Sequence, residues 1–124
     1  MNLFTRNNDL IDHQLEFVMA ETLFHSSATD PDSPGVIHRY LDTGLELADK
    51  VNHQQQESIL FRLLENLIAV ISDPLHHPVF RRNCMNLLYQ PIGKLKKLYR
   101  DKPESMHRLN AIRYELQLMS QYLN

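Results

Sequence analysis

Gln54–Ser72 reads QQQESILFRLLENLIAVIS, and this stretch decides the fold class. Ile59, Leu60, Phe61, Leu63, Leu64, Leu67, Ile68, Val70 and Ile71 cover well over half of a helix circumference at 100° per residue. A helix apolar on so many sides is packed by neighbours on several faces, so it is expected at the centre of a helical bundle. Arg62 and Glu65 interrupt the run Ile59–Ile71, which is too short to cross a bilayer. Pro74 ends the helix.

Working outward from that centre, apolar spacing stays helical and proline punctuates it. Upstream, Ser33 and Pro34 predict an N-cap and first helical position. The helix they open has Val36, Ile37, Tyr40, Leu41, Leu45, Ala48 and Val51 as its apolar face. Asn52 and Gln54-Gln55-Gln56 mark a break or an exposed continuation into the central helix. Further upstream, a helix is expected from about Asp9 to His25, capped by Asn8 or Asp9. Its expected buried stripe is Leu10, Ile11, Leu15, Val18, Met19 and Leu23. Residues 1–8 read as a flexible lead, and 26–33 as a polar loop of turn formers.

Downstream of His76-His77-Pro78, Val79, Phe80, Cys84, Leu87 and Leu88 predict a fourth helix. Pro91 either kinks it or opens a short fifth helix with Ile92, Leu95, Leu98 and Tyr99; the second is preferred. Asp101 and Glu104 resemble a capping box around Pro103, starting a last helix to about Tyr122. Its seam is Leu109, Ile112, Leu116, Met119 and Leu123, expected to pack on the central helix or on another chain. The expectation is a single all-α domain over residues 1–124, a bundle of five to six helices or a short array of α-hairpins.

The 124 residues are 43% hydrophobic and 23% charged, as in an ordinary globular chain. Only three glycines occur, Gly35, Gly44 and Gly93, and no two form a phosphate-cradling loop. The single cysteine, Cys84, excludes an intrachain disulfide and cysteine zinc frameworks, and its apolar register reads as an inert core thiol. The N-terminus shows no signal-peptide pattern, so a cytoplasmic location is expected.

Charge is segregated along the chain. Residues 1–73 carry 4 Lys+Arg against 12 Asp+Glu, and residues 74–124 carry 9 against 3. The two parts either face each other within the fold, meet between subunits, or leave a basic surface for phosphates. A nucleic-acid reading rests on Arg81, Arg82, Lys94, Lys96, Lys97 and Arg100. A helix-turn-helix would have to use Gln90-Pro91-Ile92-Gly93 as its turn, before Lys94.

Seven histidines invite a metal reading. His53 and Glu57, four residues apart, point the same way on a helix and form the candidate pair. A two-metal bundle needs a second such pair, whereas His76 and His77 are adjacent and beside Pro78; the latter two suit helix-end carbonyls instead. Ser26 and Ser27 beside His25 lack a nucleophile elbow. No enzyme activity and no cofactor are expected. By elimination the leading expectation is a small protein-interaction module, an adaptor, regulator or chaperone-like subunit, binding a protein partner or itself as a homodimer, with no membrane role. The last-helix seam is its candidate contact. Nucleic-acid binding and His/Glu metal binding are the alternatives.

Overall fold

The computed structural model describes residues 3–26 and 34–121. Among them are six helices and no strand: α1 (Leu3–Ser26), α2 (Pro34–Ala48), α3 (His53–Ser72), α4 (Pro78–Leu87), α5 (Tyr89–Leu98) and α6 (Pro103–Ser120). The chain is an all-α helical bundle, as the periodicity predicts. α3 is the central element, packed by α2, α4 and α5, while α1 lies along α2. Its Leu60, Phe61, Leu63, Leu64, Leu67, Val70 and Ile71 are buried, which accounts for its apolar circumference. One contiguous core joins residues from all six helices.

Local chemistry sets most boundaries. Asn52 takes the N-cap of α3, its Oδ1 accepting from the Gln55 N–H at 2.9 Å, so the break before the glutamine run is real. Asp73 turns the chain after α3, its Oδ1 accepting from the Leu75 N–H at 2.9 Å. The short fifth helix exists, but it opens at Tyr89 and shares Leu88 with the end of α4, so Pro91 falls in its first turn.

Several expectations need correction. α1 begins at Leu3, so Asn8 and Asp9 are interior to it and the supposed flexible lead is partly helix. The Ser33 cap and most of the 26–33 loop lie outside the described residues. Lys102, without a side-chain cap bond, takes the N-cap of α6, so the Asp101–Glu104 box does not form; Pro103 supplies the helical φ instead. His77 caps the helix that follows, its Nδ1 accepting from the Val79 N–H at 3.1 Å. The carbonyl of Ile71, near the end of α3, is bonded by Arg81 Nε at 2.9 Å.

α6 packs on α5, and it reaches α3 through Arg108, whose guanidinium lies 4.6 Å from the centroid of the Phe61 ring. Cys84 is fully buried, and burial pushes its thiol up to about 12, as expected of an inert core position.

The α2–α3 crossing depends on Gly44. A Cβ there would meet Leu63 Cδ2 at 2.7 Å, Cδ1 at 2.8 Å and Cγ at 3.0 Å. Leu63 is itself fully buried and has no room to swing away. Overpacking of this kind costs about 1–3 kcal/mol, against which a helical Gly→Ala gain of about 1 kcal/mol counts. Gly44→Ala is therefore expected to lower stability by up to about 2 kcal/mol in urea unfolding. In the Gly44→Ala/Leu63→Ala double variant the strain component should vanish, giving a loss smaller than the sum of the singles.

Candidate protein-docking face of the first helix

α1 carries two apolar stripes, and the core takes the one that periodicity alone does not favour. Phe17, Ala20, Glu21 and Phe24 are buried. The expected stripe points the other way: Ile11 is 50% exposed, Leu15 56%, Val18 50%, Met19 62% and Leu23 40%, and only Leu10 packs against the core. The aromatic stripe wins because it finds shaped partners. Phe17 and Phe24 stack on Tyr40 with ring centroids 5.6 and 4.7 Å apart, and Phe24 meets Phe80 at 5.7 Å.

A polar network locks that inner face. The Tyr40 hydroxyl donates to Glu21 Oε2 at 2.6 Å, and Arg62 Nε donates to the same oxygen at 2.7 Å. Arg62 Nη2 pairs with Glu21 Oε1. Asn66 Nδ2 donates to the Tyr40 hydroxyl at 2.7 Å and to Glu21 Oε2 at 3.2 Å. Burial alone would raise the Glu21 carboxyl, but the bonds from Arg62 and Tyr40 outweigh it and hold the group below its ordinary value. Burial, then the bond to Glu21, pushes the Tyr40 phenol up, so it stays a donor. The four side chains tie α1, α2 and α3 together and fix which face of α1 looks outward. Sequence reading missed this network. Its one trace is a charged Glu21 in register between Phe17 and Phe24.

The outward face is apolar and open. On a helical projection Leu15 stands opposite the buried residues, with Val18 and Ile11 to one side and Met19 and Leu23 to the other. Shallow depressions flank it. One, of about 340 Å³, includes Phe17, Val18, Val51 and Ile59. The other, of about 400 Å³, includes Val18, Met19, Leu23 and Arg39. Five side chains about half exposed present on the order of 400 Å² of apolar surface, the size of the largest apolar patch on a typical monomer, which is often a functional one.

The structure distributes the other candidate residues differently. In the last-helix seam, Leu109 and Leu116 are buried in the core, while Ile112 and Met119 are half-buried against it. Leu123 lies outside the described residues. The seam thus closes on this chain's own core, chiefly beside α5, leaving little of it to a partner. Between α5 and α6 runs a cleft of about 640 Å³ with Leu88, Ile92 and Leu116 along it and Lys96, Arg113 and Tyr114 among its lining.

The basic candidates do not converge as a motif. Arg81 is spent on the Ile71 carbonyl, and Lys94 Nζ lies 3.8 Å from Asp49 Oδ1. Arg82, Lys97 and Arg100 are exposed, and Lys96 borders the α5–α6 cleft. The Gln90–Gly93 segment is part of α5, so the only candidate turn for a helix-turn-helix is absent. Of the metal candidates, His53 is exposed, and Glu57 Oε1 accepts from the Tyr99 hydroxyl at 2.8 Å. Among the described residues no group of three His, Cys, Asp or Glu side chains is placed to hold a metal ion. Nor is any described helix long and apolar enough to cross a membrane.

No protein-family model, no curated protein and no solved structure matches the chain.

Proposed function

We propose that the protein is a small helical interaction module of the cytosol, an adaptor or regulator that binds another polypeptide through the outer face of α1 and not through the α6 seam. The carrying observation is the exposed stripe Ile11, Leu15, Val18, Met19 and Leu23, directly opposite a face anchored by an aromatic stack and a four-residue polar network. A helix held this firmly with apolar residues on its free side offers the i, i+4, i+8 anchors by which helices dock on other helices or in grooves. Asp12 and Glu16, exposed beside the stripe, disfavour an anionic membrane surface as its occupant, because interfacial helices carry basic edges. The protein is read as a binder without catalysis or cofactor.

A benzophenone photocrosslinker in place of Leu15, used in the native host, tests the docking reading. One dominant protein adduct is expected, and the same probe in place of the exposed Glu65 should yield none of it. Carrying Met19→Lys in the probe-bearing chain should reduce the adduct at least tenfold while the circular dichroism stays helical. No adduct at position 15, or the same adduct from both positions, overturns the reading.

A further inference from the structure

We infer that the occupant of the α1 face is a second copy of this chain, the two α1 helices lying antiparallel across a two-fold axis that passes between Leu15 and Met19 on the outer face; this rests on the docking reading above. The stripe is symmetric along its own length. Ile11 and Leu23 stand six residues either side of Phe17, and Leu15 and Met19 stand two either side. Ile11, Leu15, Met19 and Leu23 form an i, i+4 row that winds from one edge of the face to the other. With the helices crossed at about −50°, the rows of the two copies run side by side and reversed, setting Ile11 against Leu23 of the second copy and Leu15 against Met19.

The charges favour the same orientation. At 100° per residue Asp12 and Glu16 fall on the edge of the stripe that Leu23 also occupies. Toward the other end of that edge, Arg39 of α2 lines the depression beside Met19 and Leu23. All three charged residues are exposed, and none makes an ion pair with another described residue. A two-fold axis lying across the helices keeps each edge facing its own copy while reversing it end to end. The acidic end of one edge then meets Arg39 of the second copy. A parallel pair would set Asp12 and Glu16 against the opposite edge, where Gln14 and Ile11 stand and the cation beside them, Arg62, is already bonded to Glu21.

The area is adequate for an association of modest strength. Two stripes bring on the order of 800 Å² of apolar surface together, and the flanking Asp12, Glu16, Thr22, Ser26 and Arg39 extend this toward the 1,200 Å² lower bound of standard interfaces. Isologous closure also gives the exposed stripe a finite partner, whereas a head-to-tail contact would propagate.

Analytical ultracentrifugation of the full chain between about 1 and 100 µM, in low salt, tests the proposal. The expected species has twice the 14.6 kDa chain mass. Leu15→Glu should be a folded monomer, with the parent's helical spectrum. Met19→Lys serves if Leu15→Glu fails to fold. Asp12→Arg and Arg39→Asp should each weaken dimerisation about tenfold, and the double variant should return to within about threefold of the parent. Single losses without restoration in the double variant overturn the antiparallel arrangement. A parent that remains monomeric at 100 µM overturns the dimer. If the position-15 crosslinker then captures a different polypeptide, the docking reading stands without the dimer; with no adduct, both fall.

Discussion

Phe24→Ala is expected to lower the unfolding free energy by about 3–5 kcal/mol, while Leu23→Ala, one residue away, changes it by no more than about 0.5 kcal/mol. Phe24 is fully buried, with its ring 4.7 Å from Tyr40 and 5.7 Å from Phe80. Truncating it opens a cavity where α1, α2 and α4 meet, and the surrounding aromatic rings cannot collapse to fill it. Leu23 lines only the open depression beside Arg39. A chain of this size has about 5–15 kcal/mol of stability, so the first variant should have a sharply reduced urea midpoint and the second an unchanged one. The measurement is best made on a monomeric background such as Leu15→Glu, so that lost association is not read as lost stability. Equal losses from both variants would mean that the stripe through Leu23 is a core face after all.

Glu21→Leu is the second large effect, expected at about 2–3 kcal/mol. It removes the shared acceptor of the Tyr40 hydroxyl and of Arg62. The Tyr40 hydroxyl then keeps only its bond from Asn66 and loses its own acceptor inside the core. Arg62 is half exposed and can turn to water, which keeps the loss below that of a fully buried broken pair.

The same carboxylate gives the effect a pH signature. Its pKa is lowered on folding, so the stability it contributes is complete above the ordinary carboxylate range and is lost as the pH falls through the folded-state value. The deficit of Glu21→Gln relative to the parent should therefore be constant near neutrality and shrink on acidification. A deficit that grows as the pH falls would mean that Glu21 is protonated in the folded protein.

Much of the architecture is legible along the chain because it rests on local rules. The apolar circumference of Gln54–Ser72 makes α3 central, since the only way to bury residues on several sides is to surround them. Asn52 closes one end of α3 through a bond three residues away, and Pro78 and Pro103 open helices where a missing N–H does no harm. The candidate face was in view too, since Ile11, Leu15, Val18, Met19 and Leu23 stand out by their spacing. Spacing reports that they share one side of a helix and is silent on whether that side is the core side.

Helix and break are encoded within a few residues, so the sequence by itself determined an all-α chain, the central helix and most helix ends. Only the tertiary structure decided which of the two stripes of α1 is buried. That choice turns on Tyr40, Arg62 and Asn66, which lie 19, 41 and 45 residues away from Glu21 and close around it only when α2 and α3 are in place. The placement of the α6 seam was decided in the same way, by whether α5 lay near enough to cover Leu109 and Leu116. A single helix with two apolar sides has no internal reason to prefer either; the preference is made by neighbours remote in sequence, and the side they leave uncovered is the one offered to a partner.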